Sequence, residues 1–248
     1  MRCSVLGIGR FTLVATLAAA LAGLQALADA SLSALPNVGA SQALTASQRF
    51  SVGGGPPMGG ASSGKGAQNA IHDQSGTLTI TRVASDSARL AASDGLDAFD
   101  QTLHVDARGA VAQPSPANPF IDALDTVAAV LAAAPSNPQK GAAWSASVTA
   151  PSWINNFMNG ALPKSLSSIP VSVTVASVTG DTMNLRGEGK GEFTMATGMG
   201  NQTSTISVAL DCTLRSSQVQ SCSRTTSLGM NLGPTNYGFG ETTTLAAK

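Results

Sequence analysis

The sequence predicts a mainly β protein: a curved antiparallel sheet, half-barrel-like, covered by one main helix and preceded by an N-terminal signal peptide. Three observations carry this expectation. Short runs alternating apolar residues with Ser or Thr recur from residue 77 onward, one segment alone sustains a helical period, and the first thirty residues have the three parts of an export signal.

The export signal comes first. Arg2 and Arg10 make a positive n-region, "FTLVATLAAALAGL" an apolar h-region, and "ADA" a small-residue cleavage site ending at Ala30. The apolar run is shorter than the ~20 residues a spanning helix needs, so the mature chain is read as exported and not membrane-spanning, with periplasmic or extracellular localisation. Cys3 lies well ahead of the h-region and is not placed as a lipoprotein cysteine. Removing Arg2, Arg10 and Asp29 from the 14 basic and 14 acidic residues leaves 12 against 13, a net charge of −1. Such a balance, with scattered Lys and Arg, argues against nucleic acid as a partner. Aromatics are 4% of residues, so the core must rest on Val, Leu, Ile, Ala and Met.

Residues 31–76 form the next segment and contain "VGGGPPMGGASSGKGAQ", a Gly/Pro density that opposes regular structure and reads as flexible. An initial strand can precede it in "ALTASQRFSV". Residues 77–248 read as a single β-rich domain. "TLTITRV" alternates Leu78 and Ile80 against threonines, and "ARLAAS" returns after the polar break "ASDS". "QTLHVDARGAV" repeats the pattern with a turn at "DARG".

The helix follows, over 118–134. Asn118 suits the N-cap and Pro119 the first helical position, where the missing N–H costs nothing. Ile121, Leu124, Ala128 and Leu131 share one face, widened by Phe120 and Val127, and Pro135 ends the segment. Strands resume in "PVSVTVASV", "DTMNLRGEG", "GEFTMAT", "STISVALDCTLR" and "VQSCSRTTSLGMNL". "ITRVASDSARL" is echoed by "VTVASVTGDTMNL": an apolar strand, a turn holding Asp86 or Asp181, and a strand ending at Leu90 or Leu185.

Cys212 and Cys222 are the two cysteines left after export. With Ser216, Ser217 and Gln218 as a three-residue loop, Arg215 faces Val219 and Cys212 falls opposite Cys222, at the separation of a cross-strand disulfide. An exporting compartment permits oxidation. A redox pair would more often be C-x-x-C, and no nearby His completes a zinc set.

Several motifs resemble catalytic ones. "GGASSGKG" has Gly59, Gly64 and Lys65 at P-loop spacing, but Gly66 stands where Ser or Thr must hold Mg²⁺. "GASSG" matches a nucleophile elbow at Ser62, yet lies in a glycine-rich tract, and His72 and His104 are the available histidines. His104 alternates with Leu103 and Val105, which puts it on the solvated face. Asp94, Asp97 and Asp100 recur every third residue without the alternate acids of an EF-hand. "GEGKGEF" reads as a Gly-rich strand or turn, and "NQT" at Asn201 marks a surface loop. No cofactor or metal set emerges.

"QKGAAWSASV" carries a family resemblance. Gly141 and Trp144, with Pro138 before them and "VDARGAV" upstream, resemble exported bacterial half-barrel proteins of the lipoprotein-carrier type over about residues 75–248. The resemblance implies a curved antiparallel sheet covered by helix, although this chain is poorer in aromatics than such carriers. An apolar-faced curved sheet with no clustered catalytic groups sets the expected function, a non-enzymatic exported envelope protein that binds lipid or another apolar ligand between sheet and helix. Phe120, Ile121, Leu124 and Trp144 are the candidate lining residues. The alternatives are a structural or protein-interaction module of the envelope, whose partner is another envelope protein, and a serine hydrolase built on Ser62.

Overall fold

The computed structural model describes residues 32–53, 73–107, 109–112, 118–157, 168–197, 200–232 and 235–248. The signal segment 1–30, the motif at 59–66, Ser62 and His72 lie outside them. Ten strands form one antiparallel sheet: β1 (Ser41–Gly53), β2 (Gln74–Ala84), β3 (Ser87–Ser93), β4 (Phe99–His104), β5 (Ala143–Val148), β6 (Ile169–Thr179), β7 (Thr182–Thr197), β8 (Gly200–Arg215), β9 (Gln218–Leu232) and β10 (Thr235–Ala247). Their spatial order is β4-β3-β2-β1-β10-β9-β8-β7-β6-β5, a curved sheet whose ends, β4 and β5, do not pair. Among the described residues two helices accompany it, α1 (Pro119–Ala132) and the six-residue α2 (Ser152–Phe157). No helix among the described residues is long and apolar enough to cross a membrane.

The mainly β fold with a helical cover agrees with the sequence, and four details differ. First, the initial strand expected in "ALTASQRFSV" is present as β1, Ser41–Gly53, but it lies mid-sheet between β2 and β10, although it falls inside the 31–76 segment read as flexible. Leu44 and Ala46 alternate inward on β1 and are fully buried, which outweighs the neighbouring glycines. Second, "LRGEGKGEF" is continuous strand within β7, where two runs were expected. A Cβ on Gly189 would lie 2.5 Å from the Pro170 carbonyl oxygen and 2.7 Å from Val171 Cγ2, so glycine is what lets β6 approach β7. Third, α2 adds a helix that the periodicity did not reveal. Fourth, the β8–β9 turn is shorter than expected. Arg215 pairs with Gln218 across a two-residue loop, Ser216–Ser217, and a bulge near Gln220 absorbs the extra residue.

That turn places both serines at positive φ, 48° and 68°, without glycine. Asp181 braces it: the Ser216 N–H donates to the Asp181 carbonyl at 2.9 Å and Ser216 Oγ donates to its carboxylate at 3.0 Å. Beyond the bulge the expected register holds, with Cys212 opposite Cys222, their Cα atoms 4.1 Å apart and the sulfurs at bonding distance. The internal echo becomes two hairpins of matching register. Ile80 pairs with Leu90 and Val175 with Leu185, each followed by a bulge and a two-residue turn.

Helix α1 lies against the sheet's curvature, packing on the end strand β5 and on the central strands β10 and β1. Asn118 caps it as expected, with Oδ1 accepting from the Phe120 N–H at 2.9 Å. Its first half joins an apolar cluster with β1, β2 and β3, through Phe120, Ile121 and Leu124. Its second half, Val127 to Leu131, joins a larger cluster with β5 to β10.

Candidate functional site

The two apolar clusters meet at a buried polar seam. Inward alternation on β10 runs Phe239, Glu241, Thr243, Leu245: the first belongs to the larger cluster, the last to the smaller, and the two between are polar. The same alternation on β9 brings Arg224 and Thr226 inward between Cys222 and Leu228. Arg224 faces Thr243 and Thr226 faces Glu241 across the β9–β10 ladder, while Gln48 on β1 faces Thr243 from the other side. Arg224 and Glu241 are each 1% exposed.

The hydrogen bonds run in one direction. Glu241 Oε2 accepts from Arg224 Nη2 at 2.8 Å; Oε1 accepts from Gln48 Nε2 at 2.9 Å and from Thr243 Oγ1 at 3.1 Å. Gln48 Oε1 in turn accepts from Gln74 Nε2 at 3.0 Å, and Gln74 Oε1 from the Asp97 backbone N–H at 3.1 Å. A chain of oriented donors thus crosses β2, β1 and β10 and ends on the carboxylate that holds Arg224. Through Gln48 it gives Glu241 one of its three hydrogen bonds, and it does nothing for the rest of the guanidinium. Arg224 Nε and Nη1, Thr226 Oγ1 and Trp153 Nε1 are buried without a hydrogen-bond partner. Each such group costs about 1–3 kcal/mol in a folded protein, so several together are unusual.

The helices close over this seam. Asp122 on α1 accepts from the Ser152 N–H at 2.9 Å and from Ser152 Oγ at 2.5 Å, which ties the start of α2 to α1. Burial pushes its carboxyl up to about 6; Arg224 and the Ser152 bonds oppose that rise, and Glu241 adds to it. Trp153, next along, stands edge-on to Phe50 with ring centroids 5.5 Å apart. Phe50 faces Glu241 across β1–β10, so α2 lies over the same patch of sheet.

The residues singled out by sequence are distributed differently. Phe120, Ile121 and Leu124 are buried together in the smaller cluster. Trp144 is half-buried at the larger one and donates from Nε1 to the Val130 carbonyl at 3.0 Å, pinning β5 to α1. His104 is exposed at the end of β4. The three aspartates do not converge: Asp94 accepts from Thr77 Oγ1, Asp100 forms a bidentate exposed pair with Arg89, and the Asp97 N–H serves Gln74. Asn201 lies exposed near the start of β8, a strand position where a surface loop was expected. Among the described residues no group of three His, Cys, Asp or Glu side chains is arranged to hold a metal ion.

Arg224, Glu241, Gln48 and Thr226 were not anticipated as a set. A signal existed: in "CSRTTSL" and "FGETTTL" a charged residue occupies the parity of flanking apolar residues, which demands a buried partner. Comparison with protein-family models, with curated proteins and with solved structures finds no match for this chain.

Proposed function

We propose that this chain is an exported, non-enzymatic envelope protein that holds an apolar acyl ligand between its curved sheet and helix α1. The observation that supports the reading is the open sheet whose apolar inner face is divided in two clusters, with α1 and α2 covering it. Such a cover can move away from a sheet that no barrel closure constrains, and the inner face then offers two apolar surfaces, one on either side of the polar seam. Export is supported by the tripartite N-terminal pattern and by the Cys212–Cys222 pair at bonding distance. Native mass spectrometry of protein purified from its own periplasm tests the reading. Retained lipid, or uptake of a fluorescent fatty acid after delipidation, is the expected result. A ligand-free mass with no uptake overturns it.

One observation favours a second reading, a structural or interaction module with a filled core. Phe120, Ile121 and Leu124 already fill the space between α1 and the sheet, each exposed by 2% or less. The same experiment separates the two, since a filled core takes up no probe.

A further inference from the structure

The seam asks for a particular kind of atom. Every unmet nitrogen in it is a donor: Arg224 Nε and Nη1 on β9, and Trp153 Nε1 on α2, whose ring packs on Phe50 of β1. Thr226 Oγ1, two residues along β9 on the same face, has one hydroxyl proton to give. The acceptor that could have served them, Glu241, already takes three hydrogen bonds. An oxygen that accepts is the atom that would meet these donors.

Charge decides which oxygen. Glu241 already pairs with Arg224, and Asp122 stands in the field of both, with its carboxyl bound to Ser152. A third carboxylate entering here meets two acidic side chains against one guanidinium, in a place where little water screens them. An uncharged carbonyl oxygen takes the donors without that repulsion.

The geometry points to Arg224, Thr226 and Trp153 as the polar end of an acyl-ligand site that recognises the carbonyl oxygen of an uncharged acyl ester in preference to a free fatty acid. This rests on the carrier reading and adds the ligand's head-group chemistry to it. The apolar clusters on either side of the seam supply the surface for the chain, and α1 must shift for the ligand to reach a guanidinium that is 1% exposed.

The test uses the delipidated mature protein at pH 8 and three probes with matched chains: methyl laurate, laurate and dodecane. Methyl laurate is expected to bind about tenfold more tightly than either of the others, the factor of one or two well-placed hydrogen bonds. Thr226→Val, close to isosteric, is expected to reduce that preference severalfold. The double variant Arg224→Met/Glu241→Met removes the ion pair as a unit, so that neither partner is left buried without the other, and is expected to abolish the preference while dodecane binding persists. Circular dichroism of each variant confirms that it is folded. Equal binding of all three probes by the wild type overturns the head-group site and leaves the carrier reading standing. Tighter binding of laurate than of its ester overturns the charge argument and the proposal with it. If no probe binds, the carrier reading falls, and the head-group site falls too.

Discussion

Asp122 offers a direct measurement of what the buried seam costs. Its carboxyl is nine-tenths buried, and burial raises its pKa from 3.8 to about 6 against the pull of Arg224 and two hydrogen bonds from Ser152. The folded protein therefore holds this proton more tightly than the unfolded chain does. Stability is highest below the unfolded value near pH 4, falls as pH rises towards 6, and stays at the lower level above it. A difference of about two pKa units corresponds to about 3 kcal/mol. Asp122→Asn keeps an oxygen to accept from Ser152 and cannot ionise. Allowing about 1 kcal/mol for the amide NH₂ placed where an oxygen stood, the variant should be about 2 kcal/mol more stable than wild type at pH 7.5. At pH 4 the advantage should vanish or reverse. Urea unfolding at pH 4, 5, 6 and 7.5, with midpoints compared at unchanged slope, reads both effects. Parallel pH profiles for the two proteins, or an Asn variant less stable at pH 7.5, would refute the reasoning. The attraction of Arg224 would then outweigh the burial of the carboxylate.

Further outcomes are expected at two glycines and at the cysteine pair. Gly189→Val places a side chain against the Pro170 carbonyl and Val171, 2.5 and 2.7 Å from its Cβ, and should destabilise the fold by several kcal/mol in urea melts. Gly229→Val, whose Cβ meets nothing nearer than 3.9 Å, should change stability by less than about 1 kcal/mol; equal effects would mean that β6 and β7 are not so closely apposed. The Cys212–Cys222 pair should titrate no free thiol in denatured, unreduced protein taken from the periplasm. Reduction should then cost about 3 kcal/mol in the chain-entropy account, and two free thiols in fresh material would argue against the bridge.

Much of this architecture was legible in the sequence because its determinants are local. Alternation in "PVSVTVASV" and "STISVALDC" reports a half-buried strand wherever that strand ends up, and Val171, Val173 and Val175 are each exposed by 1% or less. Asn118 and Pro119 specify a helix start through the backbone groups within one turn. The cysteine pairing followed from parity along one hairpin, and survived an incorrect loop because a bulge restored the register.

What the sequence could not supply depends on contacts between distant segments. Strand β1 becomes central because it pairs with β10, almost two hundred residues away, and no local pattern encodes that choice of neighbour. The continuity of β7 through its glycines is decided by how closely β6 approaches, which is a property of the packed pair. The seam shows the same limit. Arg224 and Glu241 announce through their parity that each must be buried, but their pairing requires β9 and β10 side by side. The unmet donors arise only once Gln48 and Thr243 have also claimed the carboxylate. Periodicity records which face of a strand a residue occupies, and the tertiary structure decides what that face meets.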